Sequence, residues 1–340
     1  MKCIVCEQPN QFQMIDVDKP KLQRGQAIIR IRRIGICGTD FHAYKGNQPY
    51  FTYPRVLGHE LSGTIEEMSE IGENPYGLRQ GDQVAIIPYM ECGQCIACRN
   101  GKTNCCTELK VLGVHMDGGM CEWLSVPIDH LLKTEGISLD QTALLEPLSI
   151  GAHAVRRSDL KKDEVALVIG AGPIGLGVMA FAKQRGAKVI AMDINEERLQ
   201  VCRNWANVDH TVYGLHQPDE AIAAITNGEY PTVVFDATGN AKSMMHAFRY
   251  VAHGGKLVFV GLVKTDITFS DPEFHKREMT VMGSRNAARE DFELVMKTIQ
   301  SGELDLDLYI THRVDFSQTV HVFDQLLQPE SNVIKAIIAL

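Results

Sequence analysis

Residues 165 to 177 read Val-Ala-Leu-Val-Ile-Gly-Ala-Gly-Pro-Ile-Gly-Leu-Gly, an apolar run that ends in a Gly-x-Gly-x-x-Gly turn. This stretch limits the chain to few folds. A β-strand must stop at Gly170, reverse at Gly172 and open a helix at Pro173 and Ile174, with Gly175 letting helix and strand pack closely. A parallel strand needs crossover partners, and the following sequence supplies them. Strands are expected at Val165 to Ile169, Lys188 to Asp193, His210 to Tyr213, Thr232 to Asp236, Lys256 to Val260 and Thr280 to Gly283, with helical patterns between them. That alternation predicts a doubly wound parallel sheet. Backbone amides of the turn and the helix N-terminus suit a pyrophosphate. Asp193, 23 positions after Gly170, closes the second strand, where a carboxylate accepts from ribose hydroxyls and repels a 2′-phosphate. The dinucleotide expected is therefore NAD rather than NADP.

The residues before this unit have another texture. Short strands are expected at Lys2 to Cys6, Ala27 to Gly35, Ser62 to Glu67, Gln83 to Pro88 and Gly119 to Val126, broken by turn residues. They predict an antiparallel, barrel-like β domain with long loops. A helix is expected over Thr142 to Arg157 and another from Asp291 to Ser301, and Val333-Ile-Lys-Ala-Ile-Ile reads as a closing strand. If that strand pairs back with the first domain, the α/β unit is an insertion, giving 1–147 with 288–340 as one domain and 148–287 as the other. A length of 340 residues accommodates about two cores.

A net charge of −8 and no basic run exclude a general nucleic-acid binder, which needs a cationic face to release counterions. No stretch has the apolar length of a membrane span or signal peptide, so no membrane partner and a cytoplasmic location are expected. The ten cysteines are read as metal ligands more than disulfides, because four cluster as Cys92-x2-Cys95-x2-Cys98-x7-Cys106. Four thiolates surround one zinc ion and leave no position for substrate, which marks a structural site. Cys105 neighbours Cys106, and either could be the fourth ligand.

A second metal centre is expected between Gly35 and Glu60. Cys37 and His59 supply a thiolate and an imidazole, the donors zinc prefers, and a carboxylate at Glu60 or further along completes a site with one open position. Thr39 and His42 add polar groups beside the cysteine, although Thr39 and Asp40 also suit a helix cap and His42 a surface position.

Together, Gly58-His-Glu, the four-cysteine lobe and the Gly-x-Gly-x-x-Gly turn resemble the zinc-dependent medium-chain alcohol dehydrogenases over essentially the whole length. Glu146, in Leu145-Glu-Pro-Leu, stands where the plain alcohol dehydrogenases carry a third cysteine ligand, which fits the polyol and sugar-acid branch. The resemblance implies a GroES-like catalytic domain with an inserted Rossmann domain and two zinc ions per chain, one catalytic and one structural. It implies a catalytic zinc on Cys37, His59 and either Glu60 or Glu146. By the same likeness Thr39 takes the alcohol proton and His42 passes it to solvent. Thr238 would contact the cofactor, and Val260, Gly261 and Leu262 would line the nicotinamide, with Ser284, Arg285 and Asn286 beneath it. Arg198 would pack over the adenosine and Lys335 would reach the pyrophosphate. A homo-oligomer, dimer or tetramer, is implied too.

The blocks Gly46-Asn-Gln-Pro-Tyr-Phe, Asp271-Pro-Glu-Phe-His-Lys and Gly283-Ser-Arg-Asn resemble bacterial hexonate 5-dehydrogenases acting on L-galactonate or L-gulonate, which give tagaturonate or fructuronate. A sugar acid needs a cation, for which Arg55, Lys276, Arg277 and Arg285 are candidates, with Tyr44, Asn47 and Gln48 for its hydroxyls. A sorbitol-like polyol dehydrogenase, and a catalytically silent dinucleotide sensor on the same fold, are the competing readings.

Overall fold

The computed structural model describes residues 1–48, 51–70 and 75–340. Two compact units emerge, Met1–Glu146 with Ala288–Leu340, and Pro147–Ala287.

The second unit is a six-stranded, wholly parallel sheet in the order His210–Tyr213, Lys188–Asp193, Val165–Ile169, Val233–Asp236, Lys256–Phe259, Thr280–Gly283. Sequence order reverses beside Val165–Ile169, so a crevice opens where its C-terminal end diverges from that of Val233–Asp236. Leu167, Val234 and Leu257 are fully buried in the core. Helix Pro173–Gln184 starts from Gly172 as N-cap, with a proline in its first turn where the missing N–H is no loss.

The first unit carries a three-stranded sheet, Gln11–Asp16, Lys2–Gln8, Arg55–Val56, and a seven-stranded sheet built around Gln26–Ile36. One edge of Gln26–Ile36 pairs with Glu60–Met68. The other edge pairs first with Trp123–Pro127 and then with Lys335–Ala339. The closing strand does return to the first domain. At the end of Gln26–Ile36, Gly35 pairs with Glu60 on one side and Ile36 pairs with Ala336 of the closing strand on the other. Cys37 therefore leaves its strand flanked by Glu60 and Lys335.

Two expected elements differ. Thr142 to Arg157 is not one helix but two, Leu139–Ala143 and Leu145–Ser158. Ser138 caps the first by accepting from Gln141 N, and Pro147 lies in the first turn of the second. The strand expected from Gly119 begins only at Trp123. Before it, Gly119 and Met120 donate their N–H groups to Gly58 O and Leu57 O, which takes that backbone out of the ladder. Among the described residues no helix is long and apolar enough to cross a membrane.

Candidate active site

Cys37, His59 and Glu60 bring one donor atom each to within 4.8 Å of one another. Donors held roughly 2.0–2.3 Å from a tetrahedral zinc lie at about that spacing or closer. Close approach is secured by Gly35, since a Cβ there would stand 1.9 Å from Glu60 Oε2. Asp40, which the sequence reading passed over except as a cap, joins the group: its Oδ2 accepts from Cys37 N at 2.9 Å and its Oδ1 lies 3.7 Å from His59 Nδ1. An acid three residues after a helix N-cap was the available signal.

The site is strongly charged, and most of its charged groups are buried. Glu60 is fully buried, and Lys335, only 1% exposed, donates to both of its oxygens at 2.6 and 2.8 Å and to Ile36 O at 3.1 Å. This corrects the expectation that Lys335 reaches a pyrophosphate, because its ammonium is committed to a carboxylate inside the first unit. Glu146 accepts from the Tyr89 hydroxyl. Burial pushes Glu146 up to about 7, with His59 and Tyr89 opposing and Glu60 adding to the rise. Burial works against a charged His59, yet Asp40, Cys37 and Glu146 outweigh it and raise the imidazole well above its usual range. The same anionic field favours a divalent cation at these donors, so the donor set fits zinc in both chemistry and charge.

Thr39 and His42 lie on the helix Gly38–Tyr44 that starts beside Cys37. Thr39 is half-buried and His42 exposed, and three positions apart they share a helix face.

The lobe is assembled separately. Cys92, Cys95, Cys98 and Cys106 converge within 4.8 Å, while Cys105 is exposed and stands outside that group. The Cys98 backbone N–H brings Cys95 down to about 5, suiting it to bind as a thiolate. His130 bridges Glu91 and Asp129 at 3.0 Å on each side, fixing the segment between Tyr89 and Cys92.

In the second unit Gly170 takes a φ of 97°, and a Cβ on Gly175 would fall 1.8 Å from Gly170 O. A Cβ on Gly172 would meet nothing within 4 Å, leaving open space beside the turn. Asp193 accepts from Ala171 N at 2.6 Å, so the carboxylate at the strand end also braces the glycine turn. Arg198 is half-buried on the helix Glu196–Trp205. Thr238 donates to Asp236 at 2.7 Å, and Val260 and Gly261 hydrogen-bond Asp236 O through their N–H groups. Leu262 is 69% exposed. Ser284 Oγ and Asn286 Nδ2 are buried without a hydrogen-bond partner, and Arg285 is exposed.

Several substrate-contact candidates are otherwise engaged. Tyr44 is buried with its hydroxyl on Asn10 O, and Arg277 donates to Arg249 O and Val251 O. Arg55 is held by Thr52 and Asp117. Pro49 and Tyr50 of the 46–51 block lie outside the described residues.

Comparison with known proteins places the chain. Residues 23–136 match the alcohol dehydrogenase GroES-like domain and 173–301 match the zinc-binding dehydrogenase domain. The chain belongs to the zinc-type medium-chain alcohol dehydrogenase family. It is 43% identical to the L-galactonate-5-dehydrogenase of Escherichia coli (strain K12), covering 99% of this chain and 98% of that one. It is 33% identical to the 2-dehydro-3-deoxy-L-galactonate 5-dehydrogenase of Pseudoalteromonas atlantica, over 85% and 84%. A solved alcohol dehydrogenase (rspB) from Escherichia coli CFT073, complexed with cofactor NADH, matches with a TM-score of 0.92 at 29% identity, covering 100% and 99%. The protein is an oxidoreductase acting on a CH–OH group of a sugar acid or polyol, with zinc and a nicotinamide dinucleotide as cofactors.

Proposed function

We propose that the chain oxidises the C5 secondary alcohol of a hexonate, L-galactonate or L-gulonate, to the ketone while reducing NAD. The observation that carries this reading is the convergence of half-buried Cys37 with buried His59 and Glu60, with Glu146 close enough to respond to the charges of His59 and Glu60. Cys37, His59 and one of the two carboxylates would hold the catalytic zinc, and Cys92, Cys95, Cys98 and Cys106 the structural one. When bound, the catalytic zinc supplies a Lewis acid that lowers the pKa of an alcohol hydroxyl. Thr39 accepts the proton of that hydroxyl. His42, on the same helix face and exposed, hands it to solvent. Burial of Glu60, Glu146 and Lys335 keeps water from screening the charges that hold the donors. Oxidation gives ketone, NADH and one proton.

Asp193 favours NAD by opposing a 2′-phosphate, and Gly172 leaves room for the pyrophosphate. Val260, Gly261 and Leu262 line the nicotinamide side, with Ser284, Arg285 and Asn286 beneath, Thr238 also contacts the cofactor, and Arg198 covers the adenosine. A cation among Arg55, Lys276, Arg277 and Arg285 pairs with the substrate carboxylate. The enzyme works as a homo-oligomer in the cytoplasm. Following NADH formation with a panel of aldonates and polyols tests the reading. L-galactonate or L-gulonate should give the highest kcat/KM, and a preference for sorbitol over every aldonate would replace it with a polyol dehydrogenase.

A further inference from the structure

The mechanism makes no use of two buried thiols, Cys3 and Cys121, which face one another across an antiparallel bridge. Two backbone hydrogen bonds frame that bridge, Ile4 N to Met120 O at 2.8 Å and Glu122 N to Lys2 O at 3.1 Å. Both join residues flanking the pair and neither joins the pair itself. Cys3 and Cys121 are therefore the non-hydrogen-bonded position of an antiparallel ladder, where Cα atoms lie about 4.5 Å apart and side chains leave the same face. A disulfide closes without backbone movement when Cα atoms are about 4.4–6.8 Å apart. The two thiols are neighbours on one face of the ladder, and Cys121 Sγ donates to Trp123 O at 3.2 Å. The neighbouring thiol lowers the Cys3 pKa and raises that of Cys121, which makes Cys3 the sulfur that attacks first.

Position gives the pair its consequence. Cys121 ends a loop whose N–H groups grip the chain just before the metal donors: Gly118 N donates to Val56 O at 2.8 Å, Gly119 N to Gly58 O at 2.9 Å and Met120 N to Leu57 O at 2.9 Å. His59 and Glu60 follow directly. A bond from Cys3 to Cys121 would fasten the strand Lys2–Gln8 to the loop that backs His59.

We propose that Cys3 and Cys121 are a disulfide-forming pair, oxidised by a low-molecular-weight disulfide, that staples the first strand to this loop. The Cys3 thiolate attacks one sulfur of the small disulfide, whose S–S bond breaks and releases one thiolate, leaving a mixed disulfide on Cys3. The Cys121 thiol gives its proton to solvent and attacks the Cys3 sulfur, forming the Cys3–Cys121 bond and releasing the second small thiol. The protein pair loses two electrons and the small disulfide gains them. Because Cys3 and Cys121 are only 4% and 3% exposed, the exchange waits on local opening and is slower than capture of the exposed Cys105.

The test uses the zinc-loaded Cys105→Ser protein incubated with oxidised glutathione, with and without urea well below the unfolding midpoint. Remaining thiols are alkylated under denaturing conditions and peptides mapped without reduction. A Cys3–Cys121 peptide is expected, formed faster in urea, together with a rise in thermal midpoint of about 5 °C that dithiothreitol reverses. Cys3→Ser should lose both the peptide and the rise. If Cys3 and Cys121 both stay alkylatable in urea, or the rise tracks a Cys95–Cys98 link and persists in Cys3→Ser, the proposal is overturned. The peptide map of the parent protein decides the matter even if Cys3→Ser folds poorly.

Discussion

The two metal-donor clusters of the first unit are built in opposite ways. In the lobe all four donors are the same residue, they follow one another from Cys92 to Cys106, and Cys95 is supported by the Cys98 backbone N–H within the same loop. Around Cys37 the donors differ in type, come from the ends of separate strands, and are held by Lys335 from the last strand and Asp40 from the adjoining helix. A closed cluster needs only its own loop, whereas an open one must keep an anionic, water-poor pocket stable without filling it. Substitutions should therefore separate the clusters, chemistry failing at one and stability at the other.

The largest effect is expected at the open cluster. Cys37→Ser or His59→Ala should reduce turnover to background while NAD still binds with near-normal affinity by calorimetry, and joint loss of turnover and NAD binding would mean that the substitution disrupts the fold. Lys335→Met comes next. It leaves Glu60 buried without its cation, a change that costs about 3–5 kcal/mol in comparable buried pairs. Urea denaturation of the zinc-free protein should show that loss, and Lys335→Arg should recover part of it. A midpoint unchanged in Lys335→Met would mean the pair adds nothing to the fold.

At the lobe, Cys98→Ser should lower the thermal midpoint markedly, because a structural zinc contributes folding free energy on the order of 10 kcal/mol in small peptides. Cys105→Ser should leave it unchanged within about 1 °C. The opposite ranking would return Cys105 to the ligand set.

The smallest effect concerns the segment that joins Tyr89 to Cys92. Burial disfavours a charged His130, but Asp129 and Glu91 outweigh it and hold its pKa at about 9, above its ordinary 6.5. A raised folded-state value means that the contribution is complete below pH 6.5 and fades as pH climbs through about 9. Thermal midpoints measured across this interval should fall more steeply for the parent protein than for His130→Gln. Parallel curves would place the titration elsewhere.

The contrast also explains what the sequence could reveal. The Gly170 turn, the strand ending in Asp193 and the cysteine lobe were legible because each is specified by neighbours in the chain, through a local turn or fixed ligand spacing. Cys37 and His59 were legible as candidate donors by residue type, and the structure brings them together. The partners that hold them were not. Lys335 reaches Glu60 through strand register alone, 275 residues away, and a lysine in an apolar closing strand resembles a solvated edge charge until that register is known. Tyr89 likewise meets Glu146 across 57 residues with no motif to announce it. Gln11–Asp16 and Ile310–Asp315 went unassigned because polar and charged residues such as Gln13 and His312 interrupt their apolar positions.

Zinc content measured by atomic emission on the parent protein, His59→Ala and Cys98→Ser tests most directly the claim that one chain holds an open catalytic zinc and a closed structural one. The parent should carry about two ions per chain, with His59→Ala retaining about one and its thermal midpoint. Cys98→Ser should also lose an ion, but with it the midpoint. A parent protein with one ion per chain that survives His59→Ala and disappears in Cys98→Ser would contradict the account, leaving a zinc-stabilised dinucleotide-binding protein with no metal at its buried cluster.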